Sequence, residues 1–192
     1  GKTFGYIKKA ILAGYDAVHF DGAELPLEKN IRETKKVIAY ARPFGVLVEG
    51  EVGVIGGALT DPQDVLKFVQ ETKVDSLAVA IGNFHGIGSS GIDPHLNLKR
   101  LKEIKEKVGI LPLVLHGGSG TPRNDIEEAI KSGVAKININ TELRIAYTSG
   151  LKEILRKKPK KEPLYKYMGS VIQSIQSIVE DKIRLFGSAH KV

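Results

Sequence analysis

The chain has 192 residues, no cysteine and a formal charge of +7, from 29 Lys and Arg against 22 Asp and Glu. That length suits one domain with a sizeable core, and the missing cysteines exclude disulfides and thiolate metal sites, so any metal is held by histidine nitrogen and carboxylate oxygen. No run of roughly 18 apolar residues is present to cross a bilayer, and the basic cluster at 156–162, RKKPKKE, has no interleaved aromatic side chain to stack on bases, so neither a membrane nor a nucleic-acid partner is expected.

Helices and strands alternate along the chain. TFGYIKKAILAG (3–14) predicts a helix closed by a glycine cap, and AVHFDG (17–22) a short strand. In 27–45 the apolar residues Ile31, Val37, Ile38 and Ala41 fall at helical spacing. The strand VLVEGEV (46–52) follows, then a helix over 61–73 with Asp61 as N-cap and Pro62 in its first position. SLAVAIG (76–82) predicts a strand and 97–109 a helix. LPLVLHG (111–117) predicts a strand, and 121–133 a helix capped by Thr121 with Pro122 in the first turn. AKININ (135–140) is the last strand. Two helices close the chain, over 141–157 and from 165 to 186–189. The second carries Val171, Ile172, Ile175, Ile178 and Val179 on one face.

Alternation of this kind implies an α/β protein with a parallel sheet and right-handed crossovers. An open doubly wound sheet and a (β/α)8 barrel both fit. The polar residues favour the barrel. His19 and Asp21, Glu49 and Glu51, His85, His116, Asn138 and Asn140 stand in or just after the C-terminal ends of all five strands. Barrel strands converge on one mouth, whereas an open sheet gathers its site at a single switch point. Five strands do not close a barrel of eight, so residues 1–192 are read as one barrel domain with about three βα units expected ahead of it. No basic-apolar-small leader stands at the start, which fits the cytoplasm.

Two of these strand ends have the form His-Gly. His85 in AIGNFHG and His116 in VLHGGSG lie on consecutive strands, and Glu51 ends the strand before them. Two imidazoles and a carboxylate are a donor set for a catalytic divalent metal such as zinc, which takes three protein ligands and leaves one position open. After His116, Gly117, Gly118, Ser119 and Gly120 lead into a helix. Bare amides, a hydroxyl and a helix start form a cradle for an anion. Asn138, Asn140 and Thr141 run into the next helix start. If these are the seventh and eighth barrel loops, they occupy the usual phosphate position.

DGAELPLEKNIRETKKV, VEGEVGVIGG, TDPQDVLKFVQETKVDSLAVAIGNFHG, LPLVLHGGSG, AKININTELRIAYTSGLKEIL and DKIRLFGSA together resemble the class II fructose-bisphosphate aldolases and their tagatose-bisphosphate relatives. The resemblance covers nearly the whole chain and implies a zinc-dependent (β/α)8 barrel in the cytoplasm. It implies reversible cleavage of a ketose 1,6-bisphosphate to dihydroxyacetone phosphate and glyceraldehyde 3-phosphate. On it, His85 and His116 are zinc ligands and Glu51 serves an alternative or second metal position. Gly86, Gly117 and Ser119 cradle the substrate phosphate. Asn138 touches the dihydroxyacetone part as the catalytic side chain, and Thr141 donates to phosphate. Asn140 stands where many relatives have aspartate, at a phosphate or monovalent-cation contact. One or two zinc ions per subunit and a homodimer or homotetramer are expected.

The chain departs from the family pattern in three places. A His-x-Asp-His element carrying a third zinc histidine and a catalytic aspartate belongs ahead of the first helix. Relatives carry an acidic mobile loop with a glutamate base after Gly-Gly, whereas here Gly57 leads straight into ALTDP. Relatives often have an arginine after Asp-Pro near the last helix, where this chain has Leu164 and Tyr165. A relative that binds metal and phosphate without turnover is therefore the alternative to the enzyme. Lys136, at the start of the last strand, is read as lying at the wrong end for a Schiff base at the mouth.

Overall fold

The computed structural model describes residues 1–56, 58–87, 95–157, 163 and 165–191. Gly57, residues 158–162 of the basic cluster and Leu164 lie outside them. The order of elements is α1 (Phe4–Leu12), β1 (Ala17–His19), α2 (Leu27–Ala41), β2 (Leu47–Val52), α3 (Pro62–Thr72), β3 (Ser76–Val79), α4 (Leu98–Val108), β4 (Leu113–Leu115), α5 (Arg123–Lys131), β5 (Val134–Ile137), α6 (Thr141–Lys157) and α7 (Tyr165–Leu185).

Capping and apolar spacing set the helices. Asp61 accepts a 2.7 Å bond from the Gln63 amide, Pro62 opens α3, and Val65, Phe68 and Thr72 form its buried face. Asn97 caps α4 through the Arg100 amide at 2.9 Å, and Leu101 and Ile104 are buried. The strands read over 17–22, 76–82, 111–117 and 135–140 are shorter, ending at His19, Val79, Leu115 and Ile137, so Asn138 and Asn140 lie in the loop after β5, and two helix boundaries also move. Pro43 cannot continue an α-helix, so α2 stops at Ala41 and a 3-10 turn over Arg42–Phe44 ends on Gly45 at φ 68°. Thr121 does not cap α5: the cap position is Pro122, which makes no side-chain bond, and the helix starts one turn position later at Arg123.

All five strands pair in parallel, in the order β1-β2-β3-β4-β5. A doubly wound sheet reverses its strand order at a switch point. This sheet winds one way throughout, as one side of a (β/α)8 barrel does. Alternate residues face alternate sides. On β2, Val48, Gly50 and Val52 face the helices, and Glu49 and Glu51 the barrel interior. Gly50 has no room for a side chain, because a Cβ there would lie 2.7 Å from the Phe68 ring of α3. The core between sheet and helices is built on Phe68, Leu77, Leu101, Ile104, Leu113 and Ile126, all fully buried.

The turn after β2 is held down tightly. Buried Thr60 donates its hydroxyl to the Val52 carbonyl at 2.8 Å and accepts the Ala80 amide at 2.9 Å. Leu59 forms an antiparallel bridge with Ile81, just past β3. At the other end of the chain, α7 packs along α6, with Gly150 against Val171 and Ser174. Arg123 pairs with Asp181 at 2.9 Å. Of the α7 stripe read from sequence, Val171 is buried, Ile175 and Ile178 half-buried, and Ile172 and Val179 exposed.

Thr60→Val keeps the shape and deletes both hydroxyl bonds, leaving a buried carbonyl and a buried amide unpaired. The expected loss is on the order of 2 kcal/mol or more, read as a lower urea midpoint at unchanged slope.

Candidate metal and phosphate site

Strand alternation brings the titratable groups to one face. β1 delivers His19, β2 delivers Glu49 and Glu51, and His116 follows β4. His19 pairs in register with Glu49 on the neighbouring strand. Buried Asn30 of α2 donates to the Glu51 carbonyl at 2.8 Å and accepts from Thr34, which fixes the end of β2. Buried Asn83 does the same for β4, donating to the His116 carbonyl at 2.8 Å while accepting the Ile81 amide.

His19, Glu51 and His116 each offer one ligand atom, and these atoms lie within 4.8 Å of one another. His19 Nε2 is 2.9 Å from Glu51 Oε2, and His116 Nδ1 is 3.9 Å from the same oxygen. Bonds of about 2.0–2.2 Å around a tetrahedral ion put neighbouring ligand atoms roughly 3.3 Å apart, so these spacings suit zinc. The two rings meet edge to face, 4.9 Å between centroids. His19 Nε2 is buried and makes no hydrogen bond among the described residues, although Glu51 Oε2 lies 2.9 Å away. An orphaned imidazole nitrogen beside a carboxylate oxygen is what a ligand pair shows before a cation lies between them. The donor set therefore fits a divalent metal.

Glu49 stands beside this group. Its Oε1 is 2.9 Å from His116 Nε2, and Lys136 donates to its Oε2 at 2.6 Å. Burial pushes the Glu49 carboxyl up, but the hydrogen bonds from His116 and Lys136 outweigh it and hold the pKa below the ordinary carboxylate value.

A cavity of about 540 Å³ adjoins the centre. His85, Gly86, His116, Gly117, Ser119, Asn138, Asn140 and Thr141 all line it. Thus the structure gathers every site residue read from sequence except Glu51 around one cavity, and places Glu51 in the metal group with His116. His85 is exposed on the cavity wall and is not among the three clustered ligands. Arg144, in the first turn of α6, joins the wall and was not anticipated. Nor was a ligand role for His19, although its place at a strand end was visible.

The glycines after His116 serve close packing as well as anion contact. Gly117 sits at φ 66°, and a Cβ there would lie 2.0 Å from the Phe84 carbonyl oxygen, so the loop carrying His85 rests directly on it. The Ser119 hydroxyl accepts the Asn140 and Glu142 amides at 3.3 and 3.4 Å, at the start of α6. The Gly120 amide already holds an anion, since Glu142 Oε1 accepts from it at 3.0 Å. Lys182 of α7 pairs with the other Glu142 oxygen at 2.6 Å.

A one-way parallel barrel sheet with a His/Glu/His metal group and an amide-rich loop at its strand ends defines a metal-dependent barrel enzyme. The match to known proteins narrows the class: residues 1–191 fit the model of the family described as fructose-bisphosphate aldolase class-II, and this chain belongs to that family. It is 38% identical over 201 residues to the fructose-bisphosphate aldolase of Staphylococcus aureus (strain Mu50 / ATCC 700699), spanning all of this chain and 69% of that protein. It is also 38% identical over 202 residues to the sulfofructosephosphate aldolase of Alkalicoccus urumqiensis, spanning 99% of this chain and 69% of that one. The crystal structure of the YdjI aldolase from Escherichia coli K12 superposes with a TM-score of 0.88 at 37% identity, over all of this chain and 68% of that one.

His19→Ala and His116→Ala are each expected to weaken zinc binding by more than about 100-fold, measured by competition with a chromophoric chelator. Gly117→Ala adds a side chain at positive φ against a backbone carbonyl. It is expected to cost about 2 kcal/mol or more of stability, read from urea unfolding.

Proposed function

We propose that the chain acts as a metal-dependent aldehyde-lyase that reversibly cleaves a ketose 1,6-bisphosphate, fructose first and tagatose second, to dihydroxyacetone phosphate and glyceraldehyde 3-phosphate. One observation carries the reading: a buried imidazole nitrogen with no hydrogen bond in the His19, Glu51 and His116 group, which shares His116 with a cavity of about 540 Å³ walled by the glycine-rich loop. A divalent cation there supplies Lewis-acid stabilisation of the charge that grows on a carbonyl oxygen as the neighbouring carbon loses its proton.

The chain's own residues do the rest. His19, His116 and Glu51 would hold the cation, and His85, on the cavity wall that it shares with His116, would replace Glu51 as a ligand when the carboxylate moves to a second position. The Gly86 and Gly117 backbone, Ser119 and Thr141 bind the substrate phosphate, with Asn140 at its edge or at a monovalent-cation contact. Asn138 orients the dihydroxyacetone part. Arg144 brings a positive charge to the same wall. Glu142 must release the Gly120 amide when a phosphate takes it, and Lys182 keeps that carboxylate paired meanwhile. Assembly as a homodimer or homotetramer belongs to the same proposal, with exposed Ile172 and Val179 as apolar surface for it.

Two observations favour second readings. The identity to the sulfofructosephosphate aldolase equals that to the fructose-bisphosphate aldolase, which widens the substrate to a ketose phosphate with another anion at its far end. Residues 53–60 carry no acidic side chain, which favours a relative that binds metal and phosphate without turnover.

Release of dihydroxyacetone phosphate is measured with fructose 1,6-bisphosphate, tagatose 1,6-bisphosphate and 6-deoxy-6-sulfofructose 1-phosphate, before and after chelation. Cleavage lost on chelation and restored by zinc is expected. Cleavage that survives metal removal contradicts the metal reading, and zinc binding without cleavage of any of the three selects the non-catalytic relative.

A further inference from the structure

We infer that Glu49 and Lys136 are positioning residues for the metal centre: together they hold His116 in the tautomer that keeps its proton on Nε2 and offers Nδ1 to the cation. The inference rests on the reading above that His116 binds a divalent metal.

The proton count forces the tautomer. Glu49 Oε1 lies 2.9 Å from His116 Nε2. An ionised carboxylate can only accept, so the shared proton sits on the imidazole. A neutral ring then has its lone pair on Nδ1, the atom 3.9 Å from Glu51 Oε2. Metal-bound histidines commonly give their other ring N–H to a carboxylate, which sets ring orientation and raises ligand basicity.

Lys136 completes the arrangement. Glu49 is buried, two residues from Glu51 and on the same face of β2. With one oxygen unengaged it could rotate away from the imidazole and compete for the cation. The ammonium group, reaching from β5, holds that second oxygen at 2.6 Å. Each Glu49 oxygen thus has one donor, and β2, the end of β4 and β5 jointly fix one ring.

Charge and orientation make opposite forecasts for Lys136. If the lysine mattered only as a nearby positive charge, removing it would tighten binding of a cation. If it positions Glu49, removing it weakens binding.

Zinc and cobalt(II) affinities of the intact chain are measured by competition with a chromophoric chelator. The imidazole tautomer is read by nitrogen-15 NMR of the metal-free chain. Glu49→Gln is expected to lower affinity about 10- to 100-fold, and Lys136→Met about 10-fold, while Lys136→Arg restores most of the loss. The His116 signals are expected to show Nε2–H in the unsubstituted chain and a tautomer mixture in Lys136→Met. Circular dichroism and urea midpoints check folding. Should Glu49→Gln fail to fold, the two Lys136 variants carry the test, since that side chain is 52% exposed. Binding by Lys136→Met as tight as the unsubstituted chain or tighter, or an Nδ1–H tautomer, overturns the inference. An unsubstituted chain that binds neither metal overturns the metal reading and this inference with it.

Discussion

The site depends on a buried carboxylate that is satisfied at both oxygens. Glu49 faces the barrel interior beside a second carboxylate, Glu51, and two such groups taken out of water repel each other unless cations or hydrogen bonds compensate. Lys136 and His116 compensate Glu49. Glu51 is left beside two imidazoles, one with an unpartnered nitrogen. One acid is spoken for within the chain, and the other keeps affinity for a further cation. The two acids have the same side chain and face the same way on one strand, and their neighbours divide the roles.

Much of the architecture was legible because it follows from local rules. The period of the apolar residues, the Asp61 cap and the closing glycines place the helices within a few residues of where they lie. Polar residues at every strand end distinguish a barrel from an open sheet, and the pairing order agrees. The cavity wall was legible for the same reason, since His85, Ser119, Asn138 and Thr141 all follow strands. What could not be read was pairing across space. His19 meets Glu51 only through parallel register between β1 and β2. Lys136 reads as the start of the last strand, at the wrong end for the mouth, but β5 runs from Val134 to Ile137, so Lys136 is its third residue and its side chain reaches Glu49 beside the metal group. Thr121 and Pro122 looked like a helix start because residue type suits one, while the chain enters α5 one position later.

The loops are constrained as tightly as the strands. Gly117 lies against the Phe84 carbonyl, Asn83 holds the His116 carbonyl, and Thr60 ties the turn after β2 to the end of β3. Cavity wall and metal group therefore share backbone supports. The His85 loop cannot shift far without disturbing His116, which belongs to both.

Successive strands in this sheet pair only with the next one along, so most of the fold is assembled from neighbours in sequence. The polar cluster breaks that pattern. His116 and Glu49 are 67 residues apart, and Lys136 and Glu49 are 87 apart, on strands that do not touch. Closing loops of such long span costs more chain entropy than pairing neighbouring strands. A ligand held by this cluster therefore also ties together strands that are far apart in the sheet, from His19 on β1 to His116 after β4, and its binding energy adds to the stability of the arc.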